Sequence, residues 1–148
     1  MANRKQPFKD DKEISELVSA FEKSAFHPSA FRHHQHLAVA LWYVSNFPYE
    51  EAAERMKRGI RRLAETYGKT GYHETITIFW LKVVKDFFDH KYAASSLAEI
   101  ANQLANRFAD KAVIGDYYSS DLLNSAQAKA EWVEPDLKAL VLSRGSKD

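Results

Sequence analysis

The chain reads as an all-α protein, a single-domain bundle of five to six helices. Three observations predict this. Apolar residues recur at spacings of three and four in successive segments, the period of an amphipathic helix. The breaks between segments fall at Pro28, Pro48, Gly68 and Ser96, residues that stop or start helices. No alternating Val/Ile/Thr run bounded by hairpin turns occurs, so no strand is predicted. At 148 residues the chain is one domain over 1–148, long enough to bury a core without staples.

A polar arm at 1–9 precedes the first helix, which Asp10 or Asp11 can cap and which carries Ile14, Leu17, Val18 and Phe21 on one face. Pro28 interrupts the chain, and a second helix is expected from residue 29 or 31 to 47, stopped by Pro48. The third begins near Tyr49 and stacks Ala52, Met56, Ile60, Leu63 and Tyr67 before Gly68. Its other faces carry Glu50, Glu51, Glu54, Arg55, Lys57, Arg58, Arg61 and Arg62, a pattern that reads as a solvated, pair-rich surface. The fourth is expected over about 72–90. Ser96-Leu97-Ala98-Glu99 matches a capping box and opens the fifth, with Leu97, Ile100, Leu104 and Phe108 inside. A loop through Gly115, a short helix over about 120–131, a last turn or helix from Pro135 and a polar tail at 142–148 complete the chain.

Composition sets aside several functions. Lys and Arg total 21 against 20 Asp and Glu, a balance with no electrostatic footprint for nucleic acid or an anionic membrane. There are no cysteines, so disulfides, thiolate nucleophiles and zinc–thiolate sites are excluded. No apolar run approaches a membrane span and no signal-peptide core opens the chain, which makes the cytoplasm the expected location. No HExxH, P-loop, GxGxxG or GxSxG occurs, and Asp89-His90 reverses the order of a His-Asp phosphohydrolase pair.

Three histidines stand out against this background. His33 and His36 lie one turn apart on the apolar face of the second helix, with Leu37, Ala40, Leu41 and Val44. His73 opens the fourth on the same stripe as Ile76, Thr77, Trp80, Leu81 and Val84. Short links make neighbouring helices antiparallel, so the second and fourth run parallel and their N-termini share one end of the bundle. If those two helices touch, the three rings can converge, and helix dipoles at that end favour neutral imidazole.

Such a trio is compatible with a divalent metal, zinc, iron, manganese or nickel, with water or substrate in the open positions. It is equally compatible with metal-free ligand binding or acid–base work, and with a buried hydrogen-bonded network of purely structural value. Glu74 is the candidate general base or support for an imidazole; an acidic residue stabilising a helix start is the plain alternative. Thr77, Tyr118 and Arg32 are candidate ligand-binding residues, Tyr118 near a pocket mouth and Arg32 for an anionic group. His27, His34 and His90 read as surface or helix-end residues.

The segment from Phe31 to Tyr43, FRHHQHLAVALWY, resembles an F/W-x-H-x-x-H-L-x-x-A-L-x-Y signature. The stretch GYHETITIFW at 71–80 is similar to a GYHETxTxFW block, and Tyr117-Tyr118-Ser119 with WVEPDL at 132–137 is similar to a YYS…WVEPDL tail. These blocks mark a family of small uncharacterised bacterial proteins. The resemblance implies that His33, His36, His73 and Glu74 lie in its motifs, and it implies no reaction. A looser likeness is to DinB-like helical bundles, where a histidine triad binds a divalent metal, although the close histidine pair comes late there and early here.

The leading expectation is a His-lined pocket for a divalent metal or small polar ligand, with metal-assisted chemistry on a small molecule if the protein is an enzyme. The competing expectation is a non-enzymatic binding or interaction module whose histidines serve a hydrogen-bonded core. Val39, Trp42 and Ile78 are placed on outward faces, which suggests a homodimer.

Overall fold

Asp10 opens the first helix, α1 (Asp11–Glu22), from an extended backbone, its carboxylate accepting the Glu13 N–H at 3.0 Å. The structure is a computed structural model that describes residues 6–70, 72–90 and 96–142. Most of the expected polar arm, Gly71 of the third loop and nearly all of the polar tail therefore lie outside the described residues.

The imidazole of His27 accepts the Ser29 N–H through Nδ1 at 3.0 Å, and Pro28–Ala30 closes a single 3₁₀ turn. That local turn uses up the residues expected to begin the second helix, so α2 (His33–Asn46) starts later than predicted. Phe47 is extended, as the residue before a proline must be, and Pro48 leads into α3 (Tyr49–Thr66). Gly68 takes a left-handed conformation, φ 66°, just past the end of α3.

His73 is extended and caps α4 (Glu74–Asp89), and Ser96 caps α5 (Leu97–Arg107) through the Glu99 N–H. The expected loop through Gly115 is a 3₁₀ turn over Lys111–Asp116. The one short helix expected near 120–131 is two, α6 (Ser120–Leu123) and α7 (Ala126–Ala130), because Ser119 and Ser125 each cap a separate turn. Beyond Glu131 no further helix forms among the described residues, and the chain runs as an irregular strap.

The core is arranged around α2, which packs against α1, α3, α4 and α5. A helix covered on so many sides has little solvent face along its middle turns. Leu37, Ala38, Val39, Ala40, Leu41, Tyr43 and Val44 are accordingly all buried in sequence order. This corrects the expectation for Val39 and Ile78, which are inside rather than outside. Trp42 is half-buried and rests edge-on against Tyr43 and Phe47, so the residues that suggested a homodimer are mostly spent on the fold.

A second cluster forms where Phe79 and Val83 of α4 meet Ile114, Tyr118 and the strap residues Trp132 and Val133. Among the described residues no helix is long and apolar enough to cross a membrane.

Candidate functional site

The two helices that carry the histidines do touch, but out of step. His33, the first residue of α2, meets the edge of Trp80 at 4.8 Å between ring centroids. Trp80 lies seven residues beyond His73, roughly 10 Å along a helix axis. The start of α2 therefore faces the middle of α4, and His73 stands elsewhere. Helix contact alone does not set axial register, which depends on where each cap falls.

At the α2 end, His33 Nε2 faces the Phe108 carbonyl at 2.9 Å and so donates to it, tying α2 to the end of α5. Burial lowers the His33 pKa, and that carbonyl only partly opposes the shift. His36 lies one turn on and packs against Phe31 with ring centroids 3.8 Å apart. Burial, helped by the charges of His33 and Lys111, pushes its pKa down to about 4. Both rings are thus neutral at pH 7. Arg32 is exposed, and its backbone N–H donates to the Gln35 side chain at 2.8 Å.

At the other end His73 is not part of α4 but its cap. Nδ1 accepts the Ile76 N–H at 3.2 Å, which requires a lone pair there. Nε2 faces the Leu123 carbonyl at 2.6 Å and must carry the proton. Both ring nitrogens are used on backbone groups, joining α4 to α6. Because the cap residue is extended, its side chain leaves the 100° rotation on which the predicted stripe depended.

Glu74 turns toward α3. Its carboxylate takes Lys57 Nζ at 2.7 Å and the Tyr72 hydroxyl at 2.7 Å, with Arg61 at 3.7 Å. Burial would raise its pKa, but the Lys57 and Tyr72 hydrogen bonds and the two cations outweigh burial and hold the carboxyl below the usual carboxylate range. That suits a structural ion pair better than a general base, which works best near neutrality. Thr77 donates its hydroxyl to the His73 carbonyl at 2.9 Å, closing the first turn of α4.

Tyr118 is 1% exposed, so it lies in the second core cluster rather than at a mouth, and its hydroxyl donates to Val133 O at 2.7 Å. His27 and His90 sit at helix ends, as expected. Among the described residues no three His, Cys, Asp or Glu side chains are grouped to hold a metal ion.

Several residues important to this arrangement escaped the sequence reading. Thr75, fully buried, donates to Glu131 O at 2.8 Å and accepts the Val133 N–H at 3.2 Å, pinning the strap to α4. Lys57 and Arg61, read as solvated charge, are the partners of Glu74. Arg55, Arg58 and Arg62, also read as solvated, line a cleft of about 220 Å³ with Glu22, Tyr43 and Gly59. Their spacing of three and four was a legible sign of one shared face; what that face meets was not. Compared with known proteins, the chain matches no protein-family model, no curated protein and no solved structure.

Proposed function

We propose that this protein is a non-enzymatic binding module whose motif histidines belong to its hydrogen-bonded framework. The observation that carries this reading is the His73 ring, whose two nitrogens are both engaged by backbone groups. A metal at either nitrogen would displace one of these bonds, each worth about 1 kcal/mol, and would loosen the start of α4. The donation from His33 to Phe108 O and the Lys57–Glu74 ion pair support the same reading, since each joins two elements. His33, His73 and Glu74 then share one role, holding helix ends in place, while His36 packs against Phe31.

The test is metal titration of tag-free protein by calorimetry and thermal unfolding, with zinc, iron(II), manganese and nickel. The expected result is no stoichiometric uptake and no metal-dependent rise in Tm, with His73→Ala lowering Tm whether or not metal is added. A 1:1 uptake that is lost in His33→Ala/His73→Ala while the helical spectrum persists overturns the reading in favour of a divalent-metal site.

A further inference from the structure

Helix α3 carries its cations on two faces, and the two faces are neutralised to different extents. Lys57 and Arg61 turn toward α4 and meet Glu74. Arg55, Arg58 and Arg62 lie within roughly 100° of arc on the other side, and they line the cleft shared with Glu22 of α1 and Tyr43 of α2. Gly59 lies on the same side, and its lack of a side chain shapes the floor. A Cβ there would lie 2.2 Å from Cε2 of Phe21, so only glycine lets α1 approach α3 this closely.

Each arginine keeps donors in hand. Arg55 is held by Glu51, which takes Nε at 3.0 Å and Nη2 at 2.8 Å, and its guanidinium lies 4.1 Å over the Phe47 ring. Its Nη1 is directed to neither partner. Arg62 donates one Nη1 bond to the Glu22 carbonyl at 3.1 Å, and its other donors are uncommitted by that bond. Arg58 is exposed, and no hydrogen bond or ion pair engages it among the described residues. The single carboxylate lining the cleft, Glu22, accepts the Tyr43 hydroxyl at 2.6 Å. Three guanidinium groups stand against two committed carboxylates, Glu51 on Arg55 and Glu22 on Tyr43, which leaves the cleft one positive charge in excess.

We propose that this cleft binds a phosphoryl group, held by Arg55, Arg58 and Arg62. A carboxylate offers two coplanar oxygens and satisfies one guanidinium fork, whereas a tetrahedral phosphoryl group offers oxygens on several sides to several forks. Free phosphate and a small phosphomonoester present the same chemistry. The assignment rests on the binding-module reading, since it gives that module its ligand.

The experiment is calorimetric titration of the full chain at low salt with inorganic phosphate, phenyl phosphate and acetate, repeated with Arg58→Gln and Arg58→Gln/Arg62→Gln. The expected result is saturable 1:1 binding of a phosphoryl probe, weakened about tenfold in Arg58→Gln and lost in the double variant, with acetate much weaker. The helical spectrum and Tm of Arg58→Gln stay those of the parent, because its side chain supports nothing else. Tighter binding of phenyl phosphate identifies a monoester as the natural source, and tighter binding of phosphate identifies the free anion. No saturable binding, binding undiminished in the double variant, or acetate binding as well as phosphate overturns the assignment. Release of phenol from phenyl phosphate would instead overturn the non-enzymatic reading and leave the site standing.

Discussion

His36 shows how much a single position on α2 decides. The residue sits one turn into a helix packed against four others, and its ring rests on Phe31. Burial leaves it neutral down to about pH 4, against an ordinary value of 6.5. Between those two values the unfolded chain takes up a proton that the folded protein refuses. The neutral ring's contribution is therefore fully present above pH 6.5 and is lost as the pH falls toward 4. His33, lowered in the same direction, adds to this slope. We expect His36→Leu to leave stability at pH 7 unchanged or raise it by up to about 1 kcal/mol. The variant should also flatten the rise in stability from pH 4 to pH 6.5, both read from urea unfolding across that range. A loss of more than about 2 kcal/mol at pH 7 would mean that the ring makes a specific interaction leucine cannot replace.

At the scale of elements, the joints matter more than the helices. Each long helix has an apolar stripe that would be satisfied by many arrangements, but the end-to-end ties are specific. His33 binds α2 to the end of α5, His73 binds α4 to α6, and Gly59 admits Phe21 between α1 and α3. The irregular strap after α7 depends on the same device. Thr75 clasps both Glu131 and Val133, Tyr118 holds Val133 O, and Ser119 gives both its N–H and its hydroxyl to Asp136 at 2.8 and 2.7 Å. Thr75→Ala leaves the Glu131 carbonyl and the Val133 N–H without their partner in a part-buried place. We expect it to cost about 1–3 kcal/mol, and to speed proteolysis of the strap before that of the long helices. Thr77→Ala, which removes one local bond within α4, should cost less.

Over the whole molecule, the central position of α2 couples these joints. Removing any neighbour exposes part of a helix whose middle turns, Leu37 to Val44, are apolar nearly all round, so partial structures are penalised and unfolding should be all-or-none. The three tryptophans make this measurable, because Trp42 lies on α2, Trp80 on α4 and Trp132 in the strap. Urea unfolding followed by tryptophan fluorescence and by far-ultraviolet dichroism should give coincident transitions. A fluorescence change that precedes the loss of helix would mean that the strap detaches as a separate unit.

The all-α class, the five long helices and most of their stops were legible in the sequence, because apolar period, caps and proline act within a few residues along the chain. Legible too was that His33, His36, His73 and Glu74 sit at helix starts. Their partners were not. Whether imidazoles at two helix starts converge depends on the axial register of α2 against α4, and a 3₁₀ turn and an N-cap moved those starts by a few residues each. Likewise α3 announced a rich surface of paired charge, while only packing decided which cations met Glu74 and which were left around a cleft. Local residue chemistry determined the elements; the choice of neighbour for each polar side chain belonged to the tertiary structure, because it depends on contacts between residues dozens of positions apart.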